Sequence, residues 1–176
     1  MENVINKIDV KVIFKVLFAS FVMAVAAQIY IPLPIVNISG QTLGMMVLAL
    51  CLPTKLAVST MILYILEGVA GLPVFTGHRA GLPILMGTSG GFLIGFVFAS
   101  AFISHFAEQS NSKLKIAGVV FVGLIITYIF GLLQLSLLVP ADKVLEYGLY
   151  PFITGEIVKL ILVTVLTPMS KEFFKR

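Results

Sequence analysis

The chain has 176 residues and a formal net charge of +4, with 59% hydrophobic and only 11% charged residues. Soluble domains draw about a quarter of their residues from the charged types, so this composition excludes a water-soluble fold and requires a surface facing lipid. The basic residues sit at the ends of apolar runs, a topological pattern rather than a nucleic-acid stripe, and the single Cys51 excludes an intrachain disulfide.

A spanning helix needs about 20 mostly apolar residues, and six runs meet or approach that length. The first covers 12–31 and stops at Pro32 and Pro34. Its Ala24-Val25-Ala26 resembles a signal-peptide cleavage site, but multispanning chains begin the same way, and the run is read as a retained span. Within it, Ser20 and Ala24 make a small-xxx-small step that permits close approach of another helix. The second run, 39–52, is short and ends before Pro53, which suits a tilted or partly buried segment. The third covers 54–70, the fourth 89–107, the fifth 115–139 up to Pro140, and the sixth 152–169.

With the N-terminus in the cytoplasm, one side receives Lys7, Lys11, Lys15, Lys55, Lys113, Lys115, Lys171, Lys175 and Arg176. The other receives only Arg79 and Lys143, with Lys159 inside the sixth run. Such an asymmetry orients a membrane protein, and a five- or seven-span reading destroys it. The expectation is therefore an all-α integral membrane protein, one transmembrane domain over 1–176. It has six helices, a short second helix and both termini cytoplasmic.

Between the third and fourth runs, residues 71–91 hold Gly71, Gly77, Gly81, Gly87, Gly90 and Gly91 together with His78 and Arg79. Gly71-Leu-Pro and Gly81-Leu-Pro are turn signals that fold this outer loop back on itself. Its Gly87-Thr88-Ser89-Gly90 has the form in which some intramembrane proteases present a serine nucleophile. That chemistry needs a base within hydrogen-bond reach. His105 lies sixteen residues along the same helix, about 24 Å away, and His78 is upstream. Capping of the fourth helix by Thr88 or Ser89 is the simpler reading. No phosphate-binding loop, HExxH or Cys/His cluster occurs, so neither ATP nor a metal is held in those ways, and no catalytic residue or cofactor is expected.

Charges within the spans mark candidate sites. Lys15 can snorkel to the interface. Glu67, near the outer end of the third run, either reaches the interface or pairs with Arg79 or Lys159. Glu156 and Lys159 share a helical face at i and i+3. They read as a self-compensating pair or, the reading preferred here, as a clamp for a small, partly anionic ligand captured from outside, with Arg79 converging on the same place.

Four motifs then resemble the BioY family, the substrate-binding components of energy-coupling-factor (ECF) biotin transporters. They are Ile31-Pro-Leu-Pro with Gln41-Thr-Leu-Gly44, Gly71-Leu-Pro-Val-Phe75-Thr-Gly77, Gly87-Thr-Ser-Gly-Gly-Phe-Leu-Ile-Gly-Phe96, and Pro151-Phe-Ile-Thr-Gly-Glu-Ile-Val-Lys159. The resemblance implies six helices in the plasma membrane and biotin capture at the outer face. It also implies uptake driven by partners, one transmembrane coupling subunit and two ATP-hydrolysing subunits. It places Glu156, Lys159 and Ser89 in the substrate site, under a closing 71–91 loop; Phe75, Gly77 and Gln41 of the same motifs, and Arg79 from its charge, are further candidates, although the family is more glycine-rich where His78-Arg79-Ala80 stands. It makes the Ser20–Ala24 face of the first helix a docking surface for the coupling subunit, with packing inside the bundle as the other reading. Glu156 and Ser89 would read the ureido ring and Lys159 or Arg79 the carboxylate, or the two ends exchange. Glu156 stands where the family usually has Asp, Ser89 where it has Thr, and Phe92 where it has Tyr. A self-sufficient secondary transporter is the alternative in another functional class, and an intramembrane serine protease the remote one.

Overall fold

The computed structural model describes residues 10–109 and 112–173, without the side chains of 166–173. Lys7, Lys175 and Arg176 lie outside the described residues, as does the side chain of Lys171. The fold is helical: α1 (Val10–Gln28), α2 (Gln41–Cys51), α3 (Thr54–Val69), α4 (Leu82–Met86), α5 (Gly90–Glu108), α6 (Lys113–Leu135), α7 (Val144–Gly148) and α8 (Ile153–Phe173). Among the described residues, Val10–Gln28, Gly90–Glu108, Lys113–Leu135 and the run Ala141–Val165 are long and apolar enough to cross a membrane. The 11-residue α2 is shorter, as expected. At about 1.5 Å per residue it extends only about half of a 30 Å hydrocarbon layer.

Large apolar side chains cover the outside, including Phe14, Phe18 and Phe21 of α1, Phe121 and Ile129 of α6, and Ile157 and Ile161 of α8. A water-exposed surface of this kind would be untenable; in hydrocarbon it is the natural one. The α5 helix is central, packed against α2, α3 and α6, with α1 on α2 and α3, and α8 on α2 and α6. Met23, Met45, Met46 and Met61 are fully buried in the core, where flexible thioethers fill the irregular gaps between helices.

Three expectations change in detail. The first helix ends at Gln28 rather than 31, because the chain enters a short antiparallel strand pair, β1 (Tyr30–Ile31) with β2 (Ile38–Ser39), around Pro32 and Pro34. The fifth run stops being helical at Leu135, where successive turns lead into α7. The 71–91 loop contains α4, started by Gly81-Leu82-Pro83; proline suits a first helical turn, whose N–H groups lack intrahelical partners. The loop does fold back. Phe75 and Arg79 form a bridge, the N–H of Gly81 donates to the Gly68 carbonyl at 2.7 Å, and Gly71, Gly77 and Gly81 all take positive φ.

Candidate functional site

A partly enclosed pocket lies where the segments 36–39 and 75–79 meet α2, α5, α6 and α8. One wall comes from the strand pair and the start of α2: Val36, Asn37, Ser39, Gln41 and Thr42. Phe75, Thr76 and Arg79 form a second wall. Ser89, Phe92, Leu93 and Phe96 of the α5 region face Tyr128 of α6, Phe152 and Glu156. The aromatic side is ordered, with the Phe92 and Tyr128 rings meeting edge to face at 5.6 Å and Phe92 stacking on Phe152 at 6.5 Å.

Glu156 is the only charged residue among the buried polar ones described, 7% exposed. The Pro151-containing turn Tyr150–Phe152 delivers the chain into α8, whose first turn carries Glu156; the N-terminal end of a helix dipole favours a carboxylate. Its Oε1 accepts from Lys159 Nζ at 2.8 Å and from Thr42 Oγ1 at 2.8 Å. Its Oε2 is buried and has no partner. Buried polar groups are almost always paired, which makes this oxygen a candidate acceptor.

Lys159 lies behind that carboxylate rather than on the pocket surface. Its ammonium donates to the Ser39 carbonyl at 2.8 Å, to Thr42 Oγ1 at 2.7 Å and to Glu156 Oε1 at 2.8 Å. An ammonium has three N–H donors, so none remains for a ligand's anionic group. Arg79 is different. It lines the pocket mouth, is exposed, and spends its Nε on the Thr76 carbonyl at 2.9 Å. Its terminal nitrogens have no partner among the described residues.

Gln41 begins α2 and is tied on every side: Nε2 donates to Tyr64 Oη at 2.7 Å, and Oε1 accepts from Ser39 Oγ at 2.9 Å and Thr76 Oγ1 at 2.6 Å. Of the expected substrate residues, Glu156, Ser89, Arg79, Phe75 and Gln41 line one cavity. Lys159 reaches it only through Thr42 and Glu156, and Gly77 does not reach it. Gly77 has φ 74° and stands beside the Tyr30 ring, so its service is to the turn.

Two readings of the sequence are corrected. Ser89 occupies the cap position of α5, but its side chain makes no capping bond. Thr88 Oγ1 instead donates to the Ile35 carbonyl at 2.9 Å, tying the two connecting segments together. Glu67 meets neither Arg79 nor Lys159; it accepts a hydrogen bond from Ser20 Oγ. Ser20 is fully buried inside the bundle, while Ala24 is half-buried. Neither histidine lines the pocket that Ser89 lines, and His105 bonds Gln109.

Sequence reasoning missed Thr42, Asn37, Thr76 and Tyr128. The available cue was polar atoms near the outer ends of apolar runs, which are costly in lipid unless they serve a site.

The chain matches the BioY family over residues 1–176. It is 35% identical to the biotin transporter BioY2 of Lactococcus lactis subsp. cremoris over 147 residues, 82% of this chain and 81% of that protein. It is 30% identical to the biotin transporter BioY of Thermotoga maritima over 151 residues, 85% of this chain and 89% of that protein. Its fold resembles the crystal structure of the S-component for biotin from an ECF-type ABC transporter, with a TM-score of 0.82, 25% identity, and 97% of this chain and 94% of that one covered. With a family match along the whole chain, a shared fold and relatives matched over most of their length, this protein belongs to the BioY family.

Proposed function

We propose that the protein captures biotin at the outer face of the cell membrane and serves biotin uptake as the S component of an ECF transporter. It is a multi-pass membrane protein that binds and delivers its substrate and does not transform it. Within the pocket, the observation that carries this reading is the buried, unpartnered Oε2 of Glu156, a residue that lines the cavity. A cyclic urea supplies the missing N–H donor, and its carbonyl can accept from the nearby Tyr128 hydroxyl or from Ser89. The aromatic side of the pocket suits the bicyclic ring, and Arg79 at the mouth suits the carboxylate. Lys159 holds the Glu156 carboxylate in place.

The remaining parts follow from the same reading. The short α2 and the 16-residue α3 complete six crossings with α1, α5, α6 and α8, and both termini face the cytoplasm, as the Lys/Arg asymmetry supports. Energy comes from two ATP-hydrolysing subunits through one transmembrane coupling subunit, in a lipid bilayer. Neither the secondary-transporter nor the protease reading gains an observation. The test is uptake of labelled biotin in proteoliposomes holding the chain with and without its ATPase partners. ATP-dependent uptake is expected; uptake driven by an ion gradient with the chain alone would overturn the assignment.

A further inference from the structure

The pocket wall at Phe75 and Thr76 is held in part by side chains that do not themselves line the pocket. Tyr64 of α3 donates to the Val74 carbonyl at 2.9 Å, and the Phe75 ring lies edge to face on Tyr64 at 5.6 Å. The same ring occupies the space above Gly68, where a Cβ would come within 2.1 Å of it. These contacts fix the Phe75 side chain against α3. The main chain of the strip is held from the other side by Gln28, the last residue of α1. Its Nε2 donates to the Phe75 carbonyl at 3.2 Å and the Val74 carbonyl at 3.4 Å, besides the Ala24 carbonyl of its own helix at 3.3 Å. Its Oε1 accepts from the His78 main-chain N–H at 3.0 Å. His78 has φ 56°, a left-handed conformation unfavourable for a residue with a Cβ. It persists only where its surroundings over-determine it. One primary amide therefore addresses Val74, Phe75 and His78, on both sides of the two residues that face the ligand.

We propose that Gln28 is a positioning residue that sets how long the ligand stays, by holding the 74–78 strip on the end of α1 so that Phe75 and Thr76 keep their place in the wall. The ligand's identity rests on the biotin reading above; the clamp itself does not. Gln28 makes no ligand contact, so its loss acts on exit more than on entry.

The test compares the full chain with Gln28→Leu and Gln28→Asn, the second keeping the amide but falling one methylene short. Biotin dissociation is expected to quicken about tenfold in both, the worth of about one net hydrogen bond. Association should change by less than about twofold, and the thermal midpoint should stay put. In the ligand-free protein, hydrogen exchange at the His78 amide should rise, while the Gly81 amide, bonded to Gly68, stays as protected as before. Wild-type dissociation in both variants would overturn the proposal. So would faster dissociation accompanied by a lower midpoint and faster exchange throughout, which marks general loosening. If Gln28→Leu does not fold, Gln28→Asn decides. If wild-type protein binds no biotin, the vitamin reading falls, and His78 exchange still upholds or overturns the clamp.

Discussion

The α5–α6 seam and the α2–α8 junction hold helices together in lipid by opposite means. In the seam, glycine removes side chains so that backbones touch. A Cβ at Gly91 would stand 2.3 Å from the Phe130 carbonyl, one at Gly95 would meet Thr127 at 2.9 Å, and one at Gly131 would enter the Phe92 ring. Close van der Waals packing of this kind is the main resource where lipid tails are as apolar as leucine. At the junction, Lys159, Thr42, the Ser39 carbonyl and Glu156 make a buried charged cluster with one carboxylate oxygen unpaired. A buried ion pair is weak support for stability, because desolvation offsets the attraction. The seam is complete as it stands. The junction leaves one buried carboxylate oxygen without a protein partner.

That contrast can be broken first at the junction. Lys159→Ala leaves Glu156 buried without its cation, and about 3–5 kcal/mol of stability should be lost, read as a fall in thermal midpoint together with loss of biotin binding. The double replacement Glu156→Leu with Lys159→Met should recover most of that stability while binding stays lost; recovery of both would make the cluster purely structural. In the seam, Gly91→Leu should destabilise by at least the ~1–3 kcal/mol of an overpacked core, because a main-chain carbonyl cannot swing aside. Measured unfolding in detergent like that of the wild type would contradict the seam's geometry. The smallest effect belongs to Arg79→Ala. An exposed charge contributes up to about 1 kcal/mol, so biotin affinity should fall only a few-fold, and the difference between variant and wild type should shrink with added salt.

The helices were legible because hydrophobic runs and prolines mark them directly. The glycine seam was less so, since a lone glycine in an apolar run does not say which neighbour approaches it. Glu156 announced itself as a carboxylate at membrane depth, and so did Lys159, but spacing alone could not say that all three ammonium donors are spent on Ser39, Thr42 and Glu156. Two of those partners are more than a hundred residues distant in sequence. Ser20 shows a related limit: a small residue in a small-xxx-small step reads as a contact surface, and spacing does not name what it meets. Its partner is Glu67 of the same chain, forty-seven residues on. Gly77 and Gln41 sit in motifs that carry the family resemblance, yet one serves a turn and the other braces Tyr64 and Thr76.

The central claim is that the free oxygen of Glu156 takes an N–H of biotin. The direct measurement is equilibrium binding of biotin to the purified full chain, wild type against Glu156→Ala, with thermal midpoints recorded alongside. A hydrogen bond to a charged group is worth about 1.5–3 kcal/mol, so affinity should fall by roughly ten- to more than a hundredfold in a variant that remains folded. Undiminished affinity in folded Glu156→Ala would contradict the claim.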